Sequence, residues 1–136
     1  MNIIDKCAEY IKDNLENMSR EDVQFKDSKT FEQRLSNAEA VLAKYPGRIP
    51  VICERATNDA PKLDRKKYLI PVDFTMGGFL YIIRKRMTLP PEKSIYLFVG
   101  DDSLVPVSHT IGNVYDKHRD EDKFLYIKYS GENTFG

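Results

Sequence analysis

One three-residue break, Tyr45-Pro46-Gly47, constrains this chain more than any other feature. Before it, apolar residues recur at steps of three and four. After it, they come in short runs rich in β-branched side chains. Pro46 cannot continue a helix, and Gly47 accepts the left-handed turn that ends one. The chain therefore divides into a helical N-terminal part and a strand-rich remainder.

Upstream of the break, Ile4, Cys7, Ile11, Leu15 and Met18 form one helical stripe. Ser28 or Thr30 can cap a second helix near Phe31 to Lys44, with Leu35, Ala38 and Leu42 on one face. Downstream, Ile49, Val51 and Cys53 alternate with Pro50, Ile52 and Glu54, which reads as a strand over 48–55. Pro50 has no N–H, so one side of that strand is open near it. A polar connection, Asn58 to Asp64, leads to a second strand over Lys67 to Val72, with pairing ending at Pro71.

Thr75 reads as the N-cap of a helix running to about Met87. Leu80, Ile83 and Met87 form one stripe on it, and Phe79 with Ile82 a second. Ile95 to Val99 is an apolar strand, and Gly100 to Ser103 a turn. Thr110 to Lys117 is a short helix with Ile111, Val114 and Tyr115 inward. Phe124 to Tyr129 is the last strand, and Ser130 to Gly136 is expected to be mobile.

The order from residue 48 is strand, strand, helix, strand, short helix, strand. One helix packed on a four-stranded mixed sheet buries both amphipathic faces. That is an α+β fold of the ubiquitin-like β-grasp type, with additional N-terminal helices. The expected divisions are an N-terminal extension over 1–22, a helical subdomain over 23–47, the β-grasp core over 48–130 and a flexible tail over 131–136.

Composition narrows function. The 136 residues carry 21 basic and 21 acidic side chains, and 41% are hydrophobic. Disorder needs few apolar residues and a large net charge, and neither holds. A nucleic-acid binder needs a basic excess to displace counterions, so no nucleic-acid partner is expected. The longest apolar runs, Phe79 to Ile83 and Ile95 to Val99, are far below the roughly 20 residues of a membrane span. Asp5, Lys6, Glu9, Lys12 and Asp13 interrupt any signal-peptide core. Cys7 and Cys53 form no motif, so a reduced, cytoplasmic setting without a disulfide is expected.

No catalytic or metal constellation stands out. His109 and His118 have no second ligand at metal spacing. Asp101-Asp102 reads as turn chemistry, and Cys53 as a buried small apolar group. Gly77-Gly78 lacks both phosphate-loop spacings. The expectation is that the protein is not an enzyme.

Peptide binding fits better. If Lys67 to Val72 lies at a sheet edge, its open N–H and C=O groups can take an extended peptide as an added strand. Ile52, Leu69 and Phe124 would wall one side. Tyr68, Ile70, Phe74, Phe79 and Ile82 would wall the other. The second stripe, Phe79 with Ile82, is either that pocket wall or simply a wider core face; periodicity leaves both open. Residues 62–93 carry eight basic and three acidic side chains, which places a basic excess on this region and suits acidic-flanked peptides.

These residues also match a known pattern. Phe31-Glu32-Gln33-Arg34, Lys44-Tyr45-Pro46-Gly47-Arg48-Ile49-Pro50-Val51-Ile52-Cys53-Glu54-Arg55, Leu63 to Pro71, Ile83-Arg84-Lys85-Arg86, Asp120 to Ile127 and Tyr129 through Phe135-Gly136 follow one another in order. Through them, from about Val23 onward, the chain resembles the autophagy ubiquitin-like modifiers, the family of GABARAP and microtubule-associated light chain 3.

The resemblance implies two pockets for an aromatic-x-x-aliphatic motif bound as an added strand. The aromatic pocket would comprise Val41, Pro50, Ile52, Lys67, Leu69 and Phe124. The aliphatic pocket would comprise Tyr68, Ile70, Pro71, Phe74, Phe79 and Ile82. Arg48, Lys66, Lys67 and Arg86 would meet ligand carboxylates. Asn37 stands where family members often carry Glu.

The resemblance further implies covalent attachment of phosphatidylethanolamine to Gly136, with no other cofactor and no metal. Activating and conjugating enzymes, a processing and deconjugating cysteine protease, and motif-bearing receptors and adaptors would be the partners. The location would be cytoplasmic, and the autophagosome membrane once lipidated. An unconjugated adaptor in membrane trafficking or cytoskeletal binding is the alternative.

Overall fold

The computed structural model describes residues 23–100 and 103–131. The helix expected within residues 1–22, the Asp101-Asp102 pair and the tail from Glu132 to Gly136 lie outside the described residues.

Helix α1 (Phe25–Ser28) is a single turn that the sequence pattern did not announce. Helix α2 (Phe31–Lys44) starts where expected. The Gln33 N–H donates to Thr30 Oγ1 at 3.2 Å, and the Thr30 N–H donates to Gln33 Oε1 at 2.9 Å. This reciprocal cap satisfies two otherwise orphaned donors. The helix ends at Tyr45, and Gly47 sits at φ +82, a left-handed conformation that strains any residue with a Cβ. The buried face of α2 differs from expectation. Ala38 and Val41 are buried, whereas Leu35 and Leu42 are only partly so. Arg34 of this helix lies 3.1 Å from the wholly buried Asp122 carboxylate, so a charged contact also fixes which face turns inward.

Strands β1 (Arg48–Arg55), β2 (Lys67–Pro71), β3 (Ile95–Val99), β4 (Ser103–Leu104) and β5 (Leu125–Gly131) form one sheet in the order β2-β1-β5-β3-β4. The two central strands run parallel, with Val51 opposite Leu125 and Arg55 opposite Tyr129. Antiparallel β2 and β3 flank them. The β1–β5 ladder begins at Val51, one residue past Pro50, as the missing proline N–H requires.

Two expectations need correction. The sheet has five strands, not four: Gly100 at φ +56 reverses the chain, so Ser103 and Leu104 pair back onto Val99 and Phe98 instead of staying in a turn. The last strand runs past Tyr129, because Ser130 pairs with Tyr96 and Gly131 with Ile95. Neither Ser130 nor Gly131 belongs to a mobile tail.

Helix α3 (Met76–Arg86) follows its Thr75 cap, with the Gly78 N–H donating to Thr75 Oγ1 at 3.0 Å. Helix α4 (Ile111–His118) is capped the same way by Thr110. The core has two parts. The larger holds Ile49, Val51, Cys53, Tyr68 and Ile70 of the sheet with Met76, Phe79 and Ile83 of α3. The smaller holds Phe25, Ala38, Ile52 and Phe124 under α1 and α2. Strand alternation puts the two sets of β1 side chains on opposite faces.

Candidate functional site

Strand β2 ends the sheet order, so it pairs with β1 alone and its other edge carries no strand among the described residues. The register fixes which side chains flank that edge. Pro50 lies opposite Leu69 and Ile52 opposite Lys67, on one face. Ile49 lies opposite Ile70 and Val51 opposite Tyr68, on the other. Tyr68 and Ile70 thus alternate with Lys67, Leu69 and Pro71 along β2, so Pro71 has the phase of Leu69 and not that of the other residues assigned to the aliphatic pocket.

On the α3 face, the Tyr68 and Phe79 rings meet edge-on with centroids 5.5 Å apart. Phe79 is fully buried and Ile82 is 8% exposed. The second stripe on α3 is thus mostly core face, and its exposed margin is small. Pro71 and Phe74 are partly exposed at the rim. The Phe74 carbonyl accepts the Ile111 N–H at 2.7 Å, which ties the rim to the start of α4.

Of the aromatic set, Ile52 and Phe124 share the smaller core cluster, whereas Val41 and Leu69 pack in the larger one; these four, Pro50 and Lys67 are all buried. Phe25 covers part of them. Its ring meets that of Phe124 edge-on at 5.2 Å, and the Lys67 ammonium sits 5.1 Å from its centroid. Burial, with a smaller contribution from the nearby positive charge of Lys29, pushes the Lys67 amine down to about 7. Strand alternation points Lys67 to the α1–α2 side of the sheet, not out to solvent.

Of the other charges, Lys66 donates to the Val23 carbonyl and lies 3.3 Å from the Glu54 carboxylate. Arg86 grips Asp64 in bidentate fashion, at 3.0 and 2.6 Å. Arg48 is half-buried at the start of β1. Asn37, half-buried on α2, lies one residue before Ala38.

Three residues that matter here were not singled out from the sequence. Phe25 is one. Glu54 is another: it is 7% exposed and its carboxylate accepts the Phe25 N–H at 2.8 Å. Asp122 is the third: fully buried, it accepts the Phe124 N–H at 2.9 Å and the Tyr126 hydroxyl. Burial and the adjacent Asp120 charge raise its carboxyl above the usual range, against the opposing pull of Tyr126, the Phe124 N–H and Arg34.

Burial pushes the Cys53 thiol far up, aided by the Glu54 charge, so it is no nucleophile. The Gly77 N–H is taken by the Val107 carbonyl at 2.9 Å and the Gly78 N–H by the Thr75 cap, so the start of α3 offers neither to a phosphate. Among the described residues, no three His, Cys, Asp or Glu side chains cluster to hold a metal. No helix among them is long and apolar enough to cross a membrane.

Comparison with known proteins agrees with the fold described above. A family model described as "Autophagy protein Atg8 ubiquitin like" matches residues 33–136. Autophagy-related protein 8 of Candida albicans is 52% identical over 114 residues, covering 83% of this chain and 84% of that protein. Autophagy-related protein 8 of Emericella nidulans is 54% identical over 113 residues, covering 82% and 95%. The crystal structure of Trypanosoma brucei ATG8 superposes with a TM-score of 0.76 at 43% identity, covering 82% of this chain and 97% of that one.

Proposed function

The chain belongs to the Atg8 family of ubiquitin-like autophagy proteins, and from that premise we propose that it acts as a lipid-conjugated modifier and not as an enzyme. In this reading Gly136 is joined to phosphatidylethanolamine by the activating and conjugating enzymes of the autophagy system, and a cysteine protease processes and releases it. The modifier needs no cofactor, since its own C-terminal carboxylate is the substrate. It passes from the cytoplasm to the autophagosomal membrane and there recruits receptors that carry an aromatic-x-x-aliphatic motif.

The observation that supports the recruiting half is the place of β2 at the end of the sheet order among the described residues, with apolar side chains on each of its faces. An extended peptide added there gains main-chain hydrogen bonds from the edge. Its alternate side chains point to the two faces, which is where those apolar side chains lie. The conjugating half rests on family membership and on the Phe135-Gly136 pair.

Incubation with the conjugation enzymes, ATP and phosphatidylethanolamine liposomes tests the proposal. Wild type is expected to form the lipid adduct and Gly136→Ala to form none. Failure of wild type where another family member conjugates would overturn it.

A further inference from the structure

The C-terminal half of α3 and the turn after it carry a local excess of positive charge. Residues 81–93 hold four basic side chains, Arg84, Lys85, Arg86 and Lys93, and one acidic, Glu92. Arg86 is paired with Asp64. Arg84 directs its guanidinium at the Lys93 and Pro90 carbonyls, at 2.6 and 3.0 Å, which are neutral and leave its charge standing. Lys85 is exposed, with its ammonium 4.9 Å from the centroid of the Tyr81 ring. Among the described residues, no carboxylate lies within ion-pair distance of Arg84, Lys85 or Lys93.

Cations in a last helical turn complement the helix dipole, which accounts for their sign. It does not account for the apolar surface set among them. Tyr81 is 60% exposed. With Leu89, Pro91, Arg84 and Lys85 it borders an open groove of about 580 Å³. Tyrosine suits the headgroup level of a bilayer, where its ring is half apolar and its hydroxyl stays wet. Lysine and arginine beside it are drawn to anionic headgroups.

The root of the C-terminal tail lies at the same end of the molecule. Gly131, the last described residue, pairs with Ile95, the first residue of β3. The turn that leads into β3 is the one that Arg84 holds by its carbonyls. The Asp59 carboxylate fixes Gly131 through its N–H at 3.1 Å. Five residues follow to Gly136, a span of at most about 17 Å. A lipid on Gly136 therefore holds a bilayer close to this end.

We propose that the surface of Tyr81, Arg84, Lys85, Leu89 and Pro91 is the face that the protein lays on an anionic phospholipid bilayer once Gly136 carries its lipid. The inference rests on the lipid-conjugation reading and adds to it the orientation of the anchored protein. Tyr81 enters the headgroup layer, and Lys85 and Arg84 face the negative headgroups around it.

The sequence contains no Trp, so Tyr81→Trp is a single-site probe. Val107→Trp is the reference, because Val107 is also 60% exposed but lies beside Gly77 at the start of α3. Wild type and each full-length variant are conjugated enzymatically to vesicles of phosphatidylethanolamine with either phosphatidylserine or phosphatidylcholine, carrying brominated acyl chains that quench indole. With phosphatidylserine, the Tyr81→Trp emission is expected to shift to shorter wavelength and be quenched, and the Val107→Trp emission to do neither. Phosphatidylcholine, or the further change Lys85→Glu, is expected to remove most of that quenching. In wild type, which needs no probe, hydrogen exchange over residues 88–93 is expected to slow on conjugation to the phosphatidylserine vesicles. Quenching of Tyr81→Trp no greater than that of Val107→Trp, or exchange that stays unchanged, would overturn the proposal and leave this face to a protein partner. So would quenching that neither Lys85→Glu nor the lipid charge alters. Failure of wild type and all variants to form the adduct would overturn the conjugation reading itself, and this inference with it.

Discussion

The Asp59 carboxylate accepts the Gly131 N–H at 3.1 Å, joining residues 72 apart in sequence. A Cβ on Gly131 would lie 2.8 Å from both the Asp59 side chain and its backbone carbonyl oxygen. The backbone contact cannot be relieved by a rotamer change. Gly131→Ala is therefore expected to destabilise the fold by about 1–2 kcal/mol through overpacking. Asp59→Ala should cost less, about 1 kcal/mol for a part-buried hydrogen bond. In the double variant the penalty of the first should shrink. Denaturant unfolding of the three variants reads all of this.

A second expectation concerns pH. The Lys67 amine titrates near 7 in the fold against a usual 10.5. Between those values the unfolded chain holds a proton that the folded chain lacks. Stability should therefore rise with pH from about 7 toward 10.5 and be lowest below 7. Lys67→Met should flatten this slope and raise stability at pH 6 by roughly 2–4 kcal/mol. Urea midpoints measured from pH 6 to 10 decide it; parallel slopes for wild type and variant would exclude a buried Lys67.

Two ion pairs near the start of β5 should behave oppositely. Asp122 is fully buried and engages Arg34, Tyr126 and the Phe124 N–H. Asp122→Ala leaves those partners buried and unsatisfied, at about 3–5 kcal/mol. Lys123 and Glu39, 2.8 Å apart, are both about half exposed. Lys123→Ala should change stability by about 0–1 kcal/mol, and less in salt. Thermal melts of the two variants make the comparison.

Side chains assigned to the aliphatic pocket should separate into core and rim. Phe79 is fully buried, so Phe79→Ala removes core volume and should cost about 3–5 kcal/mol of stability, with any loss of binding following from it. Phe74 is partly exposed, and its backbone hydrogen bonds do not depend on its ring. Phe74→Ala should weaken motif-peptide binding while shifting stability by about 1 kcal/mol. Paired melts and titrations separate the two outcomes.

Much of this fold was legible because its signals are local. The Thr30, Thr75 and Thr110 caps, the Tyr45-Pro46-Gly47 stop and the alternation through β1 each declare themselves within a few residues. The division of Ile52 and Leu69 from Tyr68 and Ile70 followed from period two. What escaped was set by distant partners. Glu54 occupies a strand position that normally faces water, yet it is buried, and its carboxylate holds the N–H of Phe25 from 29 residues away. Asp122 lies in an acidic run that reads as solvated surface, yet Arg34 on α2 takes it inside. A one-turn helix has no period to detect, so α1 and the placement of Phe25 left no trace in the pattern.

The parallel pairing of β1 with β5 also has a consequence for how the chain comes off the ribosome. Residues 51–55 find their central partner only when residues 125–129 are available. Until then β1 can pair with β2 alone, and its other edge stays open and sticky. Ile52, too, lacks the Phe124 ring that later covers it. Pairings this distant in sequence are slow to form and leave unpaired strand edges exposed meanwhile. The nascent molecule thus passes through a stage in which its future central strand is an edge, and this half-built sheet is the form in which misassembly between copies would begin.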